Sequence, residues 1–195
     1  MDADKRLKSQ MDFILEIDKE KNIFRQTHIS GNIRRENDAE HAWHMAVMAY
    51  LLKEYANEEI DIARVMIMCL IHDIVEIYAG DTYAYDPTAK ESQREREEAA
   101  AGKIYAMLPE DQGKELREIF EEFEARETPE ARFVRVMDNL QPLMLNISND
   151  GGDWKAHGVK LEQVEARQAH NAEGSEKLAG YIEGLLQVQK EKGNL

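Results

Sequence analysis

Cysteine is nearly absent: Cys69 stands alone in 195 residues. That excludes a disulfide framework and a cysteine-rich metal site, and its place within an apolar run reads as a small buried hydrophobe. No uninterrupted apolar run approaches the ~18 residues of a membrane helix, and the first ten residues are too charged for a secretory leader, so a soluble, cytoplasmic protein is expected. Positive charge is also scarce, with 25 Lys and Arg against 39 Asp and Glu and a net charge of −14. A field of that sign repels nucleic-acid polymers and anionic membrane, while a small anion can still bind at a local cation. An apolar share of 43% is enough for one sizeable core.

Helical periodicity runs through nearly every segment and no stretch alternates convincingly at a period of two, so the expected fold class is all-α. Leu7, Met11, Ile14 and Leu15 form one apolar stripe and predict a first helix over about residues 3–20. A polar connection from Asn22 to about Asn37 carries Gly31 and the pair Arg34-Arg35. Asn37-Asp38-Ala39-Glu40 has the pattern of a capping box and starts a second helix through Trp43, Val47, Leu51 and Leu52. A third is expected from about Asp61 to Tyr78, apolar on several faces and ended by Gly80. Asp81 to Ala89 reads as a loop with Tyr83, Tyr85 and the turn pair Asp86-Pro87. A charged helix follows at about Lys90–Leu108, then a short one marked by Leu116, Ile119, Phe120 and Phe123.

Thr128-Pro129 reads as an N-cap followed by proline at the first helical position, opening a helix with Phe133, Met137 and Leu140 inward. Pro142 cannot bond the Asp138 carbonyl, so a kink is expected there. Two further helices, at about 154–170 and 175–190, bring the total to about seven or eight. No repeat or linker divides residues 1–195, which read as a single domain.

Chemistry concentrates in Leu70 to Asp81, Leu-Ile-His-Asp-Ile-Val-Glu-Ile-Tyr-Ala-Gly-Asp. On a helix Glu76 is four residues from His72 and three from Asp73, so all three lean over one patch. An imidazole and two carboxylates beside a core segment lose hydration energy unless something positive, most simply a metal ion, sits among them. His41 and Asp138 attract attention alongside. Singly, each has an ordinary reading as a capping or solvated residue, but the His72-Asp73 pair after seven apolar residues is hard to explain by packing. Two imidazoles and two carboxylates suit a borderline to hard divalent ion, without choosing which.

The order His41, His72-Asp73, Asp138, with Glu76 and Asp81 following the pair, resembles the HD-domain metal-dependent phosphohydrolases. More narrowly, Arg34-Arg35-Glu36-Asn37-Asp38-Ala39-Glu40-His41 and Ile71 to Asp81 are similar to the bacterial branch containing the HD-domain 5′-deoxynucleotidases, a likeness running from about Phe13 to Gln187. The resemblance implies an HD-type helical bundle with its metal-site core at about 34–142 and C-terminal helices, about 154–190, packed on it. It implies that His41, His72, Asp73 and Asp138 ligate one divalent metal ion, Mn²⁺, Co²⁺, Fe²⁺, Zn²⁺ or Mg²⁺. Glu76 corresponds to the acidic residue beside the metal's water and Asp81 to a second acidic residue. Such an ion lowers the pKa of bound water, and a carboxylate one turn away orients or deprotonates it. Asp81 protonates the leaving alkoxide, positions the nucleophile or caps a loop. The implied reaction is hydrolysis of a small phosphorylated substrate, a (deoxy)nucleoside 5′-monophosphate, by in-line attack of metal-bound water, in a homodimer.

A phosphate also needs cationic donors. Arg25, Arg34 and Arg35 are candidates, each equally well explained by pairing with surface carboxylates. Arg25-Gln26 stands where nucleotidase relatives carry an Arg-Trp pair, and Asn139 where many carry a basic residue. His44 is read as a packing or supporting residue, and His157, His170 and Arg167 as structural or surface residues. Tyr83 and Tyr85 either stack on a base or pack against the adjoining helices. One rival is a non-catalytic metal-binding helical module, which would not need both Glu76 and Asp81. Another is hydrolysis of a different phosphate ester such as a cyclic nucleotide, although the Gly-Tyr-Pro motif of the cyclic-dinucleotide branch is absent. A mixed-valence di-iron oxygenase would require further His/Asp pairs.

Overall fold

The computed structural model describes residues 2–86, 88 and 91–195. Pro87 of the expected turn, Ala89 at the end of the expected loop and Lys90 at the expected helix start lie outside the described residues. The fold is all-α with one small ribbon, and no helix among the described residues is long and apolar enough to cross a membrane. Helix α1 (Ala3–Ile17) is followed by strands β1 (Phe24–His28) and β2 (Arg35–Asn37), then α2 (Asp38–Leu52), α3 (Ile62–Ile71) and the single turn α4 (Glu76–Ala79). Next come α5 (Gln93–Ile104), α6 (Glu110–Ala125) and the long α7 (Pro129–Ser148). The C-terminal elements are α8 (Gly152–His157), α9 (Leu161–Gln168), α10 (Asn171–Gly174) and α11 (Glu176–Glu191).

Local chemistry sets most of these starts. The Asn37 side chain accepts from Glu40 N at 3.0 Å while Glu40 Oε2 accepts from Asn37 N at 3.3 Å, the reciprocal box that begins α2. Thr128 Oγ1 accepts from Ala131 N at 3.2 Å with Pro129 in the first turn of α7, and the helix continues across Pro142. Gly80 ends α4 with φ 78°, a conformation that glycine adopts without strain.

Helix α7 is the spine. Its first half contributes Ala131, Phe133, Val134, Val136 and Met137 to a core shared with α2, α3, α5 and α6. Its second half adds Leu140 and Leu143 to a second cluster with Trp154, Val159, Val164, Ile182 and Leu186. Asp138 and Asn139 lie at the junction, and Met48 and Leu52 of α2 pack against both clusters.

Two expectations are corrected, the 22–37 connection and the 154–170 helix, and two of the expected helices turn their apolar stripes outward. The stripe on α1 faces outward, with Leu7, Met11, Ile14 and Leu15 between 55% and 74% exposed. The helix docks through the opposite side, where Arg6 pairs with Asp111 at 2.7 Å, Gln10 Nε2 donates to Gln112 at 2.7 Å, and Phe13 enters the core. On α2 the large apolar side chains Trp43, Val47 and Leu51 are likewise exposed, and the buried face is His41, Ala42, Met45, Ala46 and Ala49. The 22–37 connection holds an antiparallel ribbon, Phe24 opposite Asn37 and His28 opposite Arg35, with an irregularity between. Tertiary contacts hold it: Asp153 Oδ2 accepts from His28 N at 2.8 Å, and Asn149 Nδ2 donates to the Ile29 carbonyl at 3.0 Å. The expected helix at 154–170 is broken at Gly158, φ 63°, into α8 and α9.

The third helix departs most usefully from expectation. Regular α geometry stops at Ile71, and the bonds Ile74 N to Ile71 O, Glu76 N to Asp73 O and Tyr78 N to Val75 O then span three residues. Three-residue turns eclipse positions i and i+3, which stacks Glu76 over Asp73.

Candidate active site

A cavity of about 420 Å³ opens beside this tightened turn, walled by His72, Asp73, Glu76 and Asp81 on one side and by Asp138 and Arg167 on the other, with Arg25 entering from β1. His41 lies behind the wall, fully buried, its ring 5.5 Å from that of His72. Ligand atoms of His41, His72 and Asp73 fall within 4.8 Å of one another, as do those of Asp38, Asp73 and Glu76. Asp138 Oδ1 is 3.3 Å from His41 Nε2, and Asp73 Oδ2 is 3.0 Å from His72 Nε2.

Hydrogen bonds at the back of each imidazole assign its tautomer. His41 Nδ1–H donates to Gln141 Oε1 at 2.8 Å, and His72 Nδ1–H donates to the Cys69 carbonyl at 2.9 Å. Both Nε2 atoms are buried and make no hydrogen bond in the structure. Two imidazoles tied down through Nδ1, with both Nε2 atoms turned towards carboxylates, offer a donor set that a divalent metal ion would fit by taking the place of a proton between them. Gln141 is itself held: its Nε2 donates to Glu36 Oε1 at 2.6 Å and lies 3.1 Å from His44 Nδ1, giving His44 a supporting contact.

Asp138 divides its two oxygens. Oδ1 faces His41, while Oδ2 accepts from Arg135 Nη1 at 2.7 Å and approaches Arg167 Nη2 at 3.5 Å. Burial opposes its charge, but Arg167 and Arg135 hold it well below the usual carboxylate range. Arg25 Nη1 lies 2.8 Å from Asp73 Oδ2 and 3.2 Å from Asp38 Oδ1. Against burial, His72 and Arg25 hold Asp73 low, whereas burial and the neighbouring Asp73 and Asp38 push Glu76 well above its ordinary value. Burial pulls His41 down to about 4; at His72 burial is outweighed by Asp73, which lifts it to about 9. Burial also raises Asp81, with Arg25 opposing. Cys69 is buried and inert, its thiol pushed up to about 12 by burial.

Of the other predicted residues, Arg34 forms two bonds with Glu40, at 2.8 and 2.6 Å, and neither Arg34 nor Arg35 is in the cavity wall. Tyr83 and Tyr85 line the cavity, meet edge to face at 5.4 Å and pack on the second cluster. His170 is exposed and bonded to Glu173, whereas Arg167, read as structural or surface, is in the cavity wall. Asp38, Glu36, Gln141 and Arg135 escaped the sequence reading. Helical spacing carries a signal for three of them: Asp38 is three residues before His41, and Arg135 and Gln141 are three residues either side of Asp138. Arg167 has no local signal, since its helix is brought here by the junction on α7.

Comparison with known proteins agrees with this geometry. A family model described as HD domain matches residues 17–179. The 5′-deoxynucleotidase HDDC2 of Homo sapiens is 33% identical over 138 residues, covering 70% of this chain and 66% of the relative. The match spans less than two thirds of the length of the human, bovine and mouse relatives. The 5′-deoxynucleotidase PM0747 of Pasteurella multocida is 25% identical over 156 residues, covering 73% of this chain and 78% of the relative. A crystal structure described as a predicted metal-dependent phosphohydrolase from Magnetospirillum magnetotacticum superposes with a TM-score of 0.94 at 47% identity, covering 98% of this chain and 96% of that one. An HD-domain phosphohydrolase from Listeria innocua shares the fold at a TM-score of 0.60 and 19% identity, covering 90% of this chain and 82% of that one.

Proposed function

The chain belongs to the HD-domain family, and from that premise we propose that it is a metal-dependent phosphohydrolase acting on (deoxy)nucleoside 5′-monophosphates. The observation that carries the reading is the pair of buried, unbonded Nε2 atoms of His41 and His72 converging with carboxylates at the wall of a cavity that also holds Arg25. His41, His72, Asp73 and Asp138 would hold one divalent ion. When bound, the ion lowers the pKa of a water towards neutrality and neutralises phosphate oxygens.

The remaining chemistry belongs to the chain. Both contacts of Arg25 use Nη1, which leaves Nη2 and Nε as donors for phosphate oxygens in the fork geometry that guanidinium offers. Glu76, whose Oε2 makes no hydrogen bond in the structure, would take the proton of the attacking water once the Asp73 and Asp38 charges that raise it are neutralised. Asp81, raised by burial, is the acid that returns a proton to the leaving alkoxide. Tyr83 and Tyr85 present apolar faces to the nucleoside.

Residues 1–195 act as one domain, supported by the contacts of Met48 and Leu52 with both clusters. The chain works as a homodimer, supported by the outward stripes Leu7, Met11, Ile14, Leu15 on α1 and Trp43, Val47, Tyr50, Leu51 on α2. It acts in the cytoplasm, in keeping with its single, buried Cys69.

The test is phosphate release from a panel of nucleoside and deoxynucleoside 5′-monophosphates after Mn²⁺, Co²⁺ or Mg²⁺ is added to stripped protein. Asp73→Ala should lose metal and turnover together, whereas Glu76→Ala should keep the metal and lose turnover by about 10²- to 10⁴-fold. Silence across the panel from metal-loaded protein would overturn the proposal, and equal metal loss in both variants would overturn the division of roles.

A further inference from the structure

Positive charge gathers beside the site in a way that the reaction above does not use. A second cavity adjoins the first on the Asp138 side, and Tyr85, Arg126, Arg135, Asn139 and Arg167 line both. Among the described residues its charged lining is Arg126, Arg132, Arg135 and Arg167, with His170, against one carboxylate, Glu173. In a chain with 39 acidic and 25 basic residues, a wall of that composition runs against the whole.

Some of this lining is already matched. Glu173 bonds His170 at 2.7 Å, and Arg132 bonds the Glu127 carbonyl at 2.7 Å and Glu58 at 3.3 Å. Three guanidiniums remain, and among the described residues the only carboxylate within ion-pair distance of them is Asp138, whose Oδ2 is already taken by Arg135. The Arg126 side chain meets no acceptor among the described residues. Arg167, with its side chain 16% exposed, makes one side-chain contact, at 3.5 Å, although it carries five donors. A desolvated guanidinium with most donors idle is costly unless an anion completes it. Its position is held, because Asn139 Nδ2 donates to the Arg167 carbonyl at 3.2 Å and to Asn171 Oδ1 at 2.8 Å.

We propose that Arg126, Arg135 and Arg167 form a second anion subsite that receives a phosphate group in addition to the one hydrolysed. The inference rests on the phosphohydrolase reading for the occupant of the first cavity. The ligand chemistry is a phosphate group, supplied either by a substrate with two phosphates, a nucleoside bisphosphate or diphosphate, or by a separate phosphate ion beside a bound monophosphate. The shared wall allows one molecule to reach both cavities.

Calorimetric titration of Mn²⁺-loaded Glu76→Gln protein, which removes the proposed base, tests this with adenosine 5′-monophosphate, 3′,5′-bisphosphate, 5′-diphosphate and inorganic phosphate. At least one two-phosphate ligand should bind tenfold or more tightly than the monophosphate. Arg126→Gln, which touches no metal-site residue, should reduce that preference at least threefold. Arg167→Gln should reduce it further, with bound Mn²⁺ measured because Arg167 contacts Asp138. If the source is a separate ion, inorganic phosphate will instead bind as a second equivalent to the monophosphate complex and Arg126→Gln will weaken that step. Equal affinity for one and two phosphates with no second equivalent, a preference unchanged by Arg126→Gln, or no binding by any of the ligands would overturn the subsite. Affinity is read without turnover, so a failed phosphate-release panel with the two-phosphate preference intact would refute the hydrolase reading and leave the subsite standing.

Discussion

Gln141→Leu offers the sharpest test of the proposed metal site. The Gln141 amide is fully buried and serves three neighbours: Oε1 accepts the His41 Nδ1–H at 2.8 Å, and Nε2 donates to Glu36 Oε1 at 2.6 Å and lies 3.1 Å from His44 Nδ1. Leucine keeps the volume and removes all three contacts. His41 then has a buried N–H without an acceptor, and Glu36, already pushed up to about 7 by burial with Arg25 and the Gln141 bond opposing, loses its donor. Each orphaned buried group costs about 1–3 kcal/mol, so a loss of about 2–4 kcal/mol in stability is expected. Loss of the partner that fixes a ligating imidazole lowers metal affinity by about 10- to 100-fold. Competition against a chromophoric chelator reads the affinity and urea unfolding reads the stability. Gln141→Glu restores an acceptor for His41 and should recover much of the affinity. Its cost to stability should shrink as the pH is lowered and the introduced carboxylate shares a proton with Glu36. A folded Gln141→Leu protein whose metal affinity stays within threefold of the parent would refute the argument that this bond orients His41.

Two other perturbations separate neighbouring claims. Arg25→Ala removes the guanidinium from between Asp38 and Asp73 and should lower kcat/KM by about 100-fold, whereas Arg34→Ala, paired with Glu40 outside the cavity, should leave it within threefold; steady-state kinetics with similar losses in both would contradict the placement. Glu20 has a buried Oε1 without a partner, and burial, with Asp73 and Asp38, raises it from 4.5 to about 8. The folded state therefore binds the proton more tightly than the unfolded chain, so the contribution is complete below about pH 4.5 and is lost as pH rises through about 8. Metal-free protein should lose at most roughly 3–4 kcal/mol from this group between pH 5 and 8, and Glu20→Gln should flatten that slope. Urea unfolding with parallel pH dependence in the two proteins would sink the assignment.

How much of this was legible in the chain depended on whether the information was local. The capping box at Asn37–Glu40, the Thr128-Pro129 start and the Gly80 stop are interactions over two to four residues, and each occurs where its pattern stands. His72-Asp73 was conspicuous because polar residues follow a buried run. The orientation of α1 and α2 was not legible. Both carry apolar side chains on more than one side, and hydrophobicity does not say which face a neighbour will cover. On α1 the docking side is the one with Arg6, Gln10 and Phe13, and on α2 the one with small alanines and His41, where another helix can approach closely.

By itself the sequence determined the helical class and several helix ends and made the His72-Asp73 pair conspicuous, because these follow from backbone hydrogen bonding and the desolvation of charge within a few residues. Only the tertiary structure decided that the turn after Ile71 tightens to stack Glu76 over Asp73, that Gln141 and Cys69 turn both Nε2 atoms to one point, and that Arg167 arrives from 29 residues beyond Asp138. The reach of Gln141 to His41 and of Arg167 to Asp138 spans the chain and is set by how α7 joins two cores, which residues near either end do not encode.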